Sequence, residues 1–231
     1  MTAITATADT RTPTIILATN YPPFDIEEPI DSLHGFDHEV TMEVFKRQNV
    51  HAKIVYVPWS RAVHETEIGN HPGLLTCART EDRAKHYLFS EPISREAYGI
   101  FYQNDFPVDE IRNMPDLAGY RVASVLEYAP NATLKDNGAV LVDIPSDETG
   151  FKMLELNRVD FVYTGKAAGD YILKQLGLRN KFAFKPFVIW DYHLCFSRKH
   201  PRSSELRQWF NAGLARIKAD QTYTRIHEKY R

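Results

Sequence analysis

Two cysteines, Cys77 and Cys195, are all that the 231 residues contain. That is too few for a disulfide-built scaffold, and their spacing matches no metal or redox motif. An excess of one charge is also lacking: 28 Lys and Arg against 30 Asp and Glu leave a formal charge of −2, with no block of like charges. Such a surface offers no basic field, so neither nucleic acid nor anionic lipid is expected as a partner. No apolar run approaches the ~18 residues that span a bilayer, so direct membrane insertion is not expected. Residues 1–13 are rich in Thr and Ala without a basic region or hydrophobic stretch, and read as a disordered lead-in rather than a signal peptide. If the natural protein is exported, this chain would be its mature form with an added methionine. There is no H-E-x-x-H, G-x-S-x-G, P-loop or G-x-G-x-x-G. Zinc-peptidase, nucleophile-elbow and common nucleotide-binding chemistries therefore lose support. The nine histidines are scattered; His34 and His38, flanking Gly35, read as surface residues. No cofactor and no metal is expected.

What is present is one β/α pattern used twice. Residues 14–19 form a β-rich apolar strand, followed by Asn20-Tyr21-Pro22-Pro23-Phe24, a loop held out of helix by its prolines. Phe36, Val40, Val44 and Phe45 fall at helical spacing, residues 52–57 read as a strand that Pro58 ends, and 59–68 as a short amphipathic helix. The apolar run 74–77 suits a buried parallel strand. After a polar link the pattern restarts, with strands over 120–125, 140–144 and 159–164 and helices over 131–136, 147–157 and 166–175. A strand over 194–197 and a helix over 203–219, with Leu206, Phe210, Leu214 and Ile217 on one face, lead to a short final helix. The expected class is α/β: two lobes, each a mostly parallel sheet flanked by helices, with a ligand cleft between them at the strand ends.

The stretch 73–92, GLLTCARTEDRAKHYLFSEP, packs a buried strand, a helix start and an arginine into twenty residues. Thr80 is placed to cap a helix whose first turn carries Glu81 and Asp82, with Arg83 projecting from it. A guanidinium beside a strand end and free helix N–H groups can hold a carboxylate. By local pattern alone, a solvated surface arginine is the favoured reading.

The ordered set Y-P-P-F (21–24), G-F-D (35–37), P-W-S-R-A (58–62), T-E-D-R (80–83), F-S-E-P (89–92), N-R-V-D-F (157–161) and S-R-K-H (197–200) resembles the type II periplasmic solute-binding proteins of the polar amino acid uptake family. The resemblance covers nearly the whole chain. It implies a two-lobed type II periplasmic-binding-protein-like fold with two hinge crossovers. Lobe one would comprise residues 14–95 and 192–231, and lobe two residues 96–191. It also implies a monomer that captures a small polar solute in the periplasm and passes it to the membrane permease of an ABC importer.

Carried over residue by residue, the resemblance makes Arg83 the partner of the ligand's carboxylate, with backbone donors around Thr76, Ala78 and Thr80. Tyr21 and Trp59 match the aromatic residues that sandwich the ligand. In lobe two the family often has an aspartate for the ligand's ammonium group, where this chain has Thr164-Gly165. Asn20 likewise replaces an acid of some members, and the loop Leu126-Glu127-Tyr128-Ala129-Pro130 lacks a Gly-Thr pair. A buried ammonium without a partner is costly, which argues against a standard α-amino acid. Glu127 is open to two readings, a replacement charge or a solvent-facing side chain. Asp191 is either an acid near the cleft or a hinge residue; Arg61 and Arg79 could add positive potential that favours a dianion, with helix-surface and loop-surface charges the favoured readings. The family topology would make the strands of Cys77 and Cys195 neighbours. A bridge is then open to them in an oxidising compartment, with free thiols the expected state. Two other functions stay open: a dehydratase-type enzyme on the same scaffold, with Glu127 or Asp191 as general acid, and the ligand-binding domain of a membrane sensor.

Overall fold

The computed structural model describes residues 13–29 and 31–230. The expected lead-in lies outside these residues, apart from Pro13. Strand β1 (Thr14–Ala18) is followed by α1 (Phe36–Arg47), β2 (Ala52–Tyr56), α2 (Trp59–Glu67), β3 (Gly73–Ala78), α3 (Glu81–His86) and β4 (Tyr87–Phe89). Then come β5 (Ser94–Gln103), β6 (Arg121–Val125), α4 (Asn131–Asp136), β7 (Val140–Ile144), α5 (Asp147–Glu155), β8 (Phe161–Gly165) and α6 (Lys166–Gln175). The chain ends through β9 (Phe182–Ser197), α7 (Ser203–Ala219) and α8 (Thr222–Glu228).

The strands run β2-β1-β3-β9-β5-β8-β6-β7, with β4 on β9. β2, β1 and β3 are parallel to one another, as are β8, β6 and β7. The antiparallel partners β5 and β9 join the two groups, so the chain crosses between the lobes twice through one two-stranded ribbon. β9 is 16 residues long, against the four-residue strand expected over 194–197. Its first half is only partly buried and contains Pro186, which hides its strand character. Pro186 is tolerated because the β5–β9 register slips between Tyr98 and Gly99, and proline is admitted to sheets at such bulges.

The first-lobe core follows from helical periodicity. Leu206, Phe210, Leu214 and Ile217 of α7 are at most 1% exposed and join Val40, Val44 and Phe45 of α1 over Ile16, Leu75 and Phe196. In α2 the residues Trp59, Ala62, Val63 and Thr66 form the buried face, spaced i, i+3, i+4 and i+7.

Cys77 and Cys195 form a disulfide, which corrects the expectation of free thiols. An irregularity in β3 between Leu74 and Cys77, where Thr76 takes a left-handed φ of 51°, shifts the register against β9. The two Cα atoms then stand 5.9 Å apart, inside the range that a bridge requires.

Candidate functional site

The strand-to-helix turn after β3 forms as the sequence predicts: the Thr80 hydroxyl accepts a hydrogen bond from the Arg83 amide at 3.1 Å, capping α3. Arg83 points inward and is 8% exposed, not solvated. Its Nη1 donates to the Ala78 carbonyl at 3.1 Å and its Nη2 to the Glu127 carbonyl at 2.9 Å. Trp59 Nε1 donates to the same Glu127 oxygen at 2.9 Å. Two first-lobe side chains are thus tied to one carbonyl of the opposite lobe. Glu127 holds its oxygen there from a left-handed φ of 65°.

These groups border a cavity of about 30 Å³, closed to little more than the room for a water or two. Of the expected site residues, Tyr21, Trp59, Thr76, Ala78, Arg83 and Tyr128 line it. Sequence reasoning missed Tyr98, Trp190 and Tyr192, which reach the same cavity from the crossing strands β5 and β9. The Tyr21 hydroxyl lies 3.0 Å from that of Tyr98 and 3.2 Å from that of Tyr192. Burial raises all three phenols well above their ordinary range, so they stay neutral donors and acceptors. The Arg83 guanidinium faces the Trp59 ring at 5.1 Å, a cation–π contact. No carboxylate side chain lines the cavity among the described residues.

Acids stand behind this wall. Thr76 Oγ1 is 2.5 Å from Asp25 Oδ2 and 3.0 Å from Asp37 Oδ2, and the Ser94 hydroxyl donates to Asp37 Oδ2 at 3.0 Å. Burial, with the two acids side by side, drives Asp25 well above the carboxylate range, and burial pushes Asp37 up to about 7. Glu96 of β5 is 5% exposed and accepts from the Ala167 amide at 3.0 Å, capping α6. Its burial pushes it up to about 7. Asp147 accepts from the Tyr128 hydroxyl at 3.1 Å and is raised by burial to about 6. A signal for Glu96 was present: Ser94, Glu96, Tyr98 and Ile100 share one face of a strand, and that face is buried.

Six expected site residues stand elsewhere. Asn20 is exposed, and its Oδ1 accepts from the Glu27 amide, because the turn ties it back to its own loop. Thr80, expected as a backbone donor, lies outside the lining and faces a neighbouring groove, while its hydroxyl caps α3. Glu127 is exposed and outside the lining, and its carbonyl alone meets the site, through Arg83 and Trp59. Thr164 is fully buried outside the lining. Gly165 is covered: a β-carbon there would stand 2.5 Å from the Tyr21 hydroxyl and 2.6 Å from Glu96 Cγ. Asp191 pairs with Arg95 at 3.0 Å on the outer side of the crossing ribbon. Arg61 is exposed, and Arg79 is exposed above the Phe89 ring. A larger hollow of about 850 Å³ between α1 and α8 shares no residue with this cavity and is walled by surface charges such as Glu43, Lys46 and Arg47. Among the described residues no group of three or more His, Cys, Asp or Glu is placed to hold a metal, and no helix is long and apolar enough to cross a membrane.

The chain is similar to known proteins in sequence and in fold. The chain is 24% identical over 212 residues to the L-cystine-binding protein TcyA of Bacillus subtilis (strain 168), covering 91% of this chain and 77% of TcyA. It is 28% identical over 214 residues to the probable amino-acid-binding protein YxeM of the same organism, covering 90% and 79%. Its fold is similar to that of a histidine kinase sensor domain with similarity to periplasmic binding proteins, with a TM-score of 0.86 at 20% identity over 96% of this chain and 97% of that one. Residues 14–231 match the family model throughout, and the chain belongs to the bacterial extracellular solute-binding proteins, family 3.

Proposed function

We propose that this protein captures a small carboxylate-bearing solute between its lobes and delivers it to the permease of an ABC importer, without chemical change to the solute. The observation that carries the reading is Arg83, a buried guanidinium at the interlobe cavity whose cross-cleft partner is only a backbone carbonyl. A carboxylate is the stronger acceptor for a guanidinium and can displace that carbonyl. The lobes divide at the Arg95–Asp191 pair, opposite each other in the crossing ribbon, and the hinge lies there. Membership of an extracellular family and the Cys77–Cys195 bridge both support a periplasmic site of action. The amino-acid-binding relatives support an amino-acid-like size for the solute. The protein works as a monomer.

A thermal-shift screen across amino acids, dicarboxylates, opines and polyamines tests this, since a bound ligand stabilises the native state by mass action. A carboxylate is expected to raise Tm, and recovery of the intact ligand by mass spectrometry is expected after incubation. Turnover would instead support the enzyme reading, for which Glu127 and Asp191 are poorly placed because neither side chain lines the cavity. The similarity to a sensor domain favours one second reading, ligand sensing at a membrane. A permease and ATPase encoded beside this chain would support uptake; a reading frame continuing into a kinase or cyclase would support sensing.

A further inference from the structure

The proposed capture function leaves the solute's chemistry open, and this inference rests on that reading. We infer that the cavity selects a carboxylate on a flat, uncharged body that carries no ammonium group. Among the described residues, the sole charged side chain in the lining is the Arg83 guanidinium. The rest of the wall is dominated by Tyr21, Trp59, Tyr98, Tyr128, Trp190 and Tyr192. Aromatic rings at several angles accept a planar body by stacked and edge-on contacts, and their hydroxyls serve neutral oxygens on it.

An ammonium group has no counterpart here. The acids behind the wall are Asp25, Asp37, Glu96 and Asp147, and each is engaged there: Asp25 and Asp37 share the Thr76 hydroxyl. Glu96 holds the Ala167 amide, and Asp147 takes the Tyr128 hydroxyl. No acid can enter from the end of β8 either, because the Tyr21 hydroxyl and the Glu96 side chain already fill the space beside Gly165. A cation entering the cavity would lose its water, find no carboxylate and meet the positive field of Arg83. The Trp59 ring is already engaged by Arg83, and the remaining rings would have to hold a cation by cation–π contact alone, with no carboxylate in the lining beside it. The carboxylate, by contrast, replaces the Glu127 carbonyl on Arg83 Nη2 and gains a charge-assisted bond. Ring contact then compensates for the lobe-to-lobe bond that is broken.

Calorimetric titration of the wild-type protein with a matched set tests this: 3-phenylpropanoate, L-phenylalanine, which differs from it by the ammonium group, and glycine betaine as a zwitterion that carries a quaternary ammonium group. Binding of 3-phenylpropanoate at least about tenfold tighter than L-phenylalanine is expected, with betaine weaker still. Arg83→Lys is expected to weaken 3-phenylpropanoate by about tenfold or more. Equal or tighter binding of L-phenylalanine, preference for betaine, or no binding of any of the three overturns the inference. An Arg83-dependent titration with L-glutamine, L-arginine or L-cystine would overturn it while leaving the capture function standing. Failure of every carboxylate tested, these included, removes both.

Discussion

Arg83 reaches across the cleft to the Glu127 carbonyl at 2.9 Å, and no side-chain carboxylate approaches its guanidinium through a hydrogen bond among the described residues. A buried guanidinium satisfied only by neutral carbonyls is poised for exchange with an anion. Arg83→Ala is expected to lower affinity for a carboxylate solute by at least about 1.5 kcal/mol, or roughly tenfold. Calorimetric titration checks this, and unchanged affinity would remove Arg83 from the site.

Trp59 shares the Glu127 oxygen, donating from Nε1 at 2.9 Å. Trp59→Phe keeps an aromatic ring and removes the donor. The lobes then close with one bond fewer, and dissociation of a bound carboxylate should speed up by roughly threefold to tenfold, as for a lost hydrogen bond of ~1 kcal/mol. Stopped-flow tryptophan fluorescence reads the rate.

The Cys77–Cys195 bridge links positions 118 apart in sequence and joins β3 to β9, two strands of the first lobe. Replacing both cysteines by alanine should cost about 2–5 kcal/mol, because the unfolded chain regains the freedom of the loop between them. Urea unfolding of the two proteins under non-reducing conditions gives the difference.

Burial raises Glu96 from an ordinary 4.5 to about 7. The folded state therefore holds this proton more tightly than the unfolded chain does. Its contribution is fully present below pH ~4.5 and is lost as pH rises through about 7. Asp147, raised to about 6, and Asp37, raised to about 7, act in the same direction. Glu96→Gln can still accept the Ala167 amide but cannot ionise. The variant should match the wild type near pH ~4.5 and exceed it near pH ~8 by on the order of 2–3 kcal/mol as an upper bound. Urea midpoints at the two pH values test the sign.

Gly165 has an ordinary φ of −72°, so its requirement is one of space. Gly165→Ala would drive a methyl into the Tyr21 hydroxyl and Glu96 Cγ and should destabilise by about 1–3 kcal/mol. A thermal midpoint unchanged from wild type would show that this contact is loose.

The repeated β/α order, the Thr80 cap and the apolar stripe of α7 were legible because each is written in local spacing. The bent ribbon was not. β9 hides behind a half-exposed stretch with Pro186, and its register against β5 depends on a bulge opposite residues more than eighty positions away. Tyr98, Trp190 and Tyr192 therefore reach the cavity with no local mark of it. Glu96 was missed for a related reason: its partner Ala167 lies 71 positions on, and only the three-dimensional sheet brings them together. Asn20, Thr164 and Asp191 lie outside the cavity lining, because a strand-end position shows where the backbone goes and not which way a side chain is tied.

The central claim is a carboxylate held by Arg83 between the lobes. Its most direct test is a side-by-side thermal-shift titration of the wild type and Arg83→Met against one panel of amino acids and their ammonium-free carboxylate analogues. At least one carboxylate should raise the wild-type Tm, and none should raise that of the folded variant. An equal shift in both proteins, or a wild-type response confined to solutes without a carboxylate, would contradict the account.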